Sequence, residues 1–417
     1  MLTSAGTILE RLQLATGANA LDRINAGLRW DFDSNAKNND FVTPQRAAEA
    51  LRALGQDPRV QGGHFDVEDY ISSGDREAEW DNFAPRIGFS YDLNADQRTV
   101  FFGGYGRYYD RALFRSAAEE TLLSQYRQGQ LLFSSDGSPR SGGQQTIMFQ
   151  PEYLTEAGFA NLLASLDADP TSPGTSELRV IPNDLKTPYT DQFSIGVRQR
   201  LGVFRGSLTY NHTVGKNQIG YAPLNRSLEP GASGFYDFIP LINGYANAVA
   251  AFNTRETKYD AILLGIDKTY SRASGWGVGL AYTGVLRSKT RGFEFNFDYP
   301  NIEDADFVPN ASNEKNLIVY KVIFDLPFDF RASSIVTYGS GAPFFVIDAN
   351  RAPPPQGFQP GFIRLGHFEN LPHFLQVDLR LQKIFNISNG REISLSAEVF
   401  NLFNRANFGS ADGFICC

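Results

Sequence analysis

Cysteine is almost absent from this chain of 417 residues: Cys416 and Cys417 stand side by side at its end. With no partner upstream, they provide neither a disulfide framework nor a thiolate metal site. Methionine is as scarce, with Met1 and Met148 alone. Of the four histidines (His64, His212, His367 and His373), His367 and His373 sit six apart in a Pro-rich loop without a nearby carboxylate at ligand spacing, and no metal site is expected. No G-x-S-x-G elbow and no G-x-x-x-x-G-K-[ST] loop occurs, so neither a catalytic residue nor a cofactor is expected. No run of about 18 apolar residues is present, which excludes an ordinary transmembrane helix. Residues 1–24 carry Glu10, Arg11, Asp22 and Arg23 and no compact apolar stretch, so they do not read as a secretory leader. Positive charge is also in deficit. The net charge is -8, which argues against a nucleic-acid partner.

Aromatic residues, by contrast, are abundant at 13%, with 34 Phe and 18 Tyr beside 39 Gly. That mixture, without Leu-rich helical stretches, points to an all-β protein. The informative pattern is an alternation of period two over stretches of about ten residues, the length of a tilted transmembrane strand. From Gln192 to Leu201, Phe193, Ile195, Val197 and Leu201 share one face, while Ser194, Gly196, Arg198 and Arg200 share the other. The same rhythm runs through Tyr259–Thr269, Trp276–Leu286, Asn316–Phe324, Gln376–Phe385 and Ile393–Val399. In a soluble strand, two arginines on the inner face would be hard to bury unpaired. In a barrel with a wet lumen they cost little. Without a membrane helix, only a closed barrel can leave no open sheet edge in lipid.

The connections alternate too. Short ones occur at Gly202, at Ser274-Gly275, between Asp325 and Asp329, and at Asn389-Gly390. Long polar ones are expected at 34–80, 112–186, 217–258, 287–315 and 348–373, with a helix over Ala112–Arg127. This asymmetry is that of outer-membrane barrels, with short periplasmic turns and long external loops. About a dozen strands are expected, fewer than the roughly 22 of plugged transporters. Phe101, Phe102, Tyr105, Tyr108 and Tyr109, with Phe400, Phe403 and Phe408, are expected to form interfacial girdles. Gly103, Gly104 and Gly106 sit inside a strand with no helix after them, so they ease curvature or admit a neighbouring backbone rather than cradle phosphate. Asp31, Asp33 and Asn35 imitate the start of a calcium loop. Ala36 and Val42 then break the pattern, and an external loop is the better reading.

Seven stretches carry a family resemblance: DNFAPRIGFSYD (Asp81–Asp92), GGYGRYYDR (Gly103–Arg111), TPYTDQFSIGVRQRL (Thr187–Leu201), YDAILLGIDKTYS (Tyr259–Ser271), GSGAPFFV (Gly339–Val346), QVDLRLQKIF (Gln376–Phe385) and AEVFNLFNRANF (Ala397–Phe408). In this order and spacing the chain resembles TonB-dependent outer-membrane receptors, particularly the Oar-like group. The last two stretches are the most specific. The resemblance implies an antiparallel transmembrane β-barrel, incomplete, with residues 1–417 forming part of the barrel domain and the plug and final strands lying outside it. It implies a place in the bacterial outer membrane, contact with outer-membrane lipid, and no enzymatic chemistry. It also implies import of a scarce solute, small or oligomeric, powered through TonB by way of the plug. The charged residues expected on the lumen face, in contact with plug or solute, are Arg198, Arg200, Asp267, Asp378, Arg380 and Glu398. A passive porin or adhesion barrel, and a soluble β-sandwich or propeller, are the competing readings.

Overall fold

The computed structural model describes residues 6–8, 23–60, 65–110, 114–125, 131–138, 146–168, 176–230, 236–292, 307–311, 313–348, 368–387, 391–411 and 414–415. His64, His367, the Asn389-Gly390 turn and the terminal cysteines fall outside these residues. Twelve strands follow one another in an antiparallel path. They are β1 (Gly6–Ile8), β2 (Arg23–Trp30), β3 (Phe83–Asp92), β4 (Thr99–Tyr109), β5 (Tyr189–Leu201) and β6 (Phe204–Pro223). They continue as β7 (Tyr245–Ser271), β8 (Trp276–Arg291), β9 (Asn316–Leu326), β10 (Phe330–Gly339), β11 (Phe374–Ile387) and β12 (Arg391–Val399). Among the described residues no pairing joins β12 back to β1, so the sheet is an open wall. Two further strands attach at one end: Ser176–Val180 runs parallel to β7, and Phe307–Pro309 pairs with β8.

The alternation read from sequence survives in the register. Ile87, Phe89 and Tyr91 pair with Tyr105, Gly103 and Phe101, and the same row continues through Phe193, Ile195 and Val197. These apolar side chains are not in a dry core. Ile195 is 47% exposed, Ile393 57% and Leu395 69%. A soluble sheet could not leave its larger apolar face in water. A wall whose apolar face meets lipid leaves it bare in this way. This face has polar limits. Near the long-loop end, Asp191 accepts hydrogen bonds from Arg107 and Tyr105, and Asp260 from Tyr210 and Arg287, with His212 Nδ1 2.6 Å away. Near the short-turn end, Lys268 lies 4.0 Å over the Trp276 ring. From Asp260 to Lys268 is roughly 26 Å along the strand, or about 20 Å after a tilt of about 40°, near the ~25 Å of an apolar belt.

The packed core lies elsewhere, in the long connections. Helix α1 (Gln45–Gly55) is rich in Ala, Leu and Arg, and its spacing puts Ala47, Ala50, Leu51 and Leu54 on one buried face. These side chains join Tyr70, Leu178, Val180, Leu224, Ile239, Tyr245, Ala248 and Ala250 in one cluster. The upper ends of β6 and β7 run into it, so the connection expected at 217–258 is partly strand. The helix expected over Ala112–Arg127 is present as α2 (Phe114–Gln125). The sequence reading did not anticipate α1 or α3 (Glu156–Ala168).

One buried ion pair ties this cap together. Arg76 and Glu120 are 0% and 1% exposed, with Nη2 and Oε1 2.7 Å apart. Arg76 spends all five N–H donors: two on Glu120, and one each on Lys37 O, Asn183 Oδ1 and Ile181 O. Glu120 also accepts from the Ile181 N–H and from Asn38. Burial pushes the neighbouring Lys37 ammonium below its ordinary pKa, with Glu79 acting in the opposite sense.

Two outcomes follow from this architecture. In vesicle-folded protein titrated with urea, Ile195→Arg on the lipid face costs about 2–4 kcal/mol. Its neighbour Ser194→Arg, on the other face, changes stability by about 0.5 kcal/mol or less. Separately, Arg76→Met strands Glu120 and destabilises the cap by about 3–5 kcal/mol, seen as faster hydrogen exchange in α1 and α2 with the wall strands unchanged. The double replacement Arg76→Met with Glu120→Leu recovers most of that loss.

Candidate functional site

The face opposite the lipid belt is polar, and all six charged residues singled out from the sequence lie on it by register. Arg200 is paired across the ladder with Arg205, Arg205 with Asp267, Asp267 with Gly279, Gly279 with Lys321, Lys321 with Ile335, and Ile335 with Asp378. One continuous row thus brings together Arg200, Asp267 and Asp378 with two residues the sequence reading left out, Arg205 and Lys321. Arg205 is the second residue of a strand that follows a two-residue turn, where too little alternation precedes it to fix its face. Arg198 sits one step further from the turn and stacks on Phe102, its guanidinium carbon 5.6 Å from the ring centre. Arg380 and Glu398 form a cross-strand pair at 3.4 Å. Asp378 is already engaged: its carboxylate accepts from Gln376 Nε2 and from the Asn401 N–H, anchoring the segment that leaves β12.

Nearer the cap, the same face hollows into a trough of about 820 Å³. Its floor includes Gly27, Gly88, Gly104 and Gly106, and its rim carries Arg29, Arg86, Tyr108, Gln192 and Asn211. Five strands contribute, and the space is open because Gly88 and Gly104 are register partners while Gly27 and Gly106 flank Arg86 in the next row. At Gly104 the reason is also steric: a Cβ would lie 2.9 Å from the Ile87 carbonyl oxygen. The expected close approach of a neighbouring backbone is therefore present. Gly88 differs, since a Cβ there would meet only the Gly103 carbonyl, at 3.7 Å. Arg86 stacks on Tyr108 at 4.4 Å, and Arg29 pairs with Asp31 at 2.6 Å.

Three expectations need correction. Phe102 and Tyr108 face this polar side rather than a lipid girdle, because register and not aromatic clustering decides the face. Phe400, Phe403 and Phe408 follow β12 instead of closing it; they are exposed, in a turn and the irregular segment after it. Leu286 occupies a bulge in β8, and the phase change carries Arg287 to the lipid side opposite Asp260. The calcium-like triplet is used locally, since Asp31 holds Arg29, Asp33 accepts from the Asn35 N–H, and Asn35 from the Asn39 N–H. Among the described residues no group of three or more His, Cys, Asp or Glu side chains could hold a metal ion.

Comparison with known proteins follows the same lines. No curated protein sequence matches this chain. The outer-membrane transporter YddB of Escherichia coli has a similar structure, with a TM-score of 0.52 at 14% sequence identity; the alignment covers 92% of this chain and 39% of the transporter. A ferric enterobactin receptor mutant from Pseudomonas aeruginosa aligns over 96% of this chain and 48% of its own, with 14% identity and a TM-score of 0.47. The chain therefore spans less than half the length of either. The family of the outer membrane beta barrel domain matches residues 23–359, the greater part of the sequence. An apolar face left open to lipid, a polar face with a trough and short turns at one end agree with that match: the chain belongs to the outer-membrane β-barrel domain family, in the outer membrane of a bacterium.

Proposed function

We propose that this chain is part of the barrel of an import receptor, which admits a scarce solute along its polar face with energy delivered through TonB. The observation that carries the reading is the glycine-floored trough beneath a cap with a core of its own. A passive pore needs only a wet wall, and its loops need no buried ion pair. A receptor needs a shaped recess near the outside, with a few fixed polar groups around it and rigid loops above. Arg29, Arg86, Gln192 and Asn211 supply the polar groups, and the Arg76–Glu120 network holds the loops. The similarity to TonB-dependent receptors in the strand motifs supports coupling to the inner membrane through a plug. On this reading the lumen-face charges Arg198, Arg200, Asp267, Asp378, Arg380 and Glu398 face plug or solute. The barrel wall itself performs no covalent chemistry.

The test is uptake in cells carrying the gene, using labelled ferric hydroxamate, cobalamin and maltodextrin, with and without a protonophore. The expected result is saturable uptake of one probe that the protonophore abolishes. Uptake that rises linearly with concentration and survives the protonophore would overturn the proposal in favour of a passive pore. Gly88→Trp fills the trough without displacing backbone, because a Cβ there meets only one atom, at 3.7 Å. It lowers uptake by roughly tenfold or more, while the heat-modifiable shift of the folded barrel on gels is retained.

A further inference from the structure

At the short-turn end of the polar face, away from the trough, lies a second cavity of about 400 Å³. Four arginines from three strands line it: Arg23 of β2, Arg198 and Arg200 of β5, and Arg205 of β6. Arg200 and Arg205 stand directly opposite each other, one step from the β5–β6 turn. Like charges at directly opposed positions destabilise a ladder. Elsewhere on this face three arginines come with a carboxylate, Arg380 with Glu398, Arg331 with Asp325 and Arg29 with Asp31, while Arg86 stacks on Tyr108. None of the four cavity arginines has a carboxylate within 4.0 Å among the described residues, although Asp267 is the register partner of Arg205. Asp92 lines the same cavity and is buried: Oδ2 accepts from the Gln97 N–H, and Oδ1 has no hydrogen-bond partner. In a chain of net charge -8, this is a local concentration of positive charge held at a cost in stability.

We infer that this cavity is an anion seat on the path of the imported solute, taking a compact oxyanion of two or more charges, a phosphate or carboxylate group. Guanidinium forks match the paired oxygens of such groups, and four forks on one wall satisfy more than a single charge. The cavity opens to the lumen, so a hydrated solute reaches it without crossing apolar surface. The inference rests on the reading of this face as a lumen, and it adds the charge class of what passes.

The experiment uses the full chain folded in detergent, with the heat-modifiable gel shift as the check on folding. Inorganic pyrophosphate and malonate are titrated calorimetrically at low salt, to separate phosphate from carboxylate; binding of either supports the seat. Saturable binding is expected, weakened at least about tenfold by the pair Arg200→Gln and Arg205→Gln and by Arg198→Gln. The Lys replacements weaken it less than the Gln ones, since charge is kept and only the fork is lost. Arg272→Gln, at the exposed β7–β8 turn and outside both cavities, leaves it unchanged. Because Arg205→Gln relieves a like-charge contact, its thermal midpoint equals or exceeds that of the parent; a merely structural arginine would lower it. A folded chain that ignores both anions, or binds them equally well without these arginines, overturns the inference. So does binding confined to a hexaglutamate peptide, which would assign the cavity to an acidic protein segment. Failure to show the heat-modifiable shift sinks the lumen reading itself, and the anion seat with it.

Discussion

Backbone groups inside hydrocarbon have no water to turn to, and that constraint governs the wall. Each unpaired N–H or C=O there costs several kcal/mol, so every strand within the lipid must be flanked on both sides. The path from β1 to β12 meets this demand through the interior of the sheet, with one antiparallel neighbour on each edge. Once the backbone is committed in this way, side chains have only two directions left. The alternation of apolar and polar residues is then the cheapest way to satisfy two solvents at once. Short turns such as Leu201–Phe204 follow because nothing at that end needs more chain.

Above the lipid the constraint lapses, and the chain behaves like a soluble protein. The first part of β7, Tyr245–Ala251, is mostly buried, and its residues pack into two clusters. Ala248 and Ala250 join the α1 side, while Val249 and Ala251 join Tyr221, Ile181 and Leu185. Small residues allow both sides to close. The same strand is thus half membrane wall and half dry core.

This division explains what the sequence disclosed. Inside the lipid, contrast between neighbours is strong, so strands such as β5 and β11 and the facing of Arg198, Arg200, Asp267, Asp378, Arg380 and Glu398 could be read directly. Above it, a run such as Tyr-Ala-Asn-Ala-Val-Ala-Ala has no contrast to read, and the segment passed for a polar connection. The Arg76 network joins Lys37, Glu120, Ile181 and Asn183, which lie up to 107 residues from Arg76 along the chain. No local pattern announces a contact of that range. Phe102 and Tyr108 were misjudged because aromatic clustering suggested a girdle, whereas their place in the alternation already put them on the other side. The trough was hidden for a related reason: Gly88 and Gly104 matter only once the register sets them side by side.

β7 has a mechanical consequence. It is 27 residues long, and its hydrogen-bonded ladder with β6 continues from Asp267 up to Val249 through two local irregularities. Strands of this kind resist stretching and bend with difficulty. The cap therefore cannot shift on a flexible stalk. A pull or twist applied to it passes down this mast into the staves beneath, so load on the cap and strain in the wall are two ends of one lever.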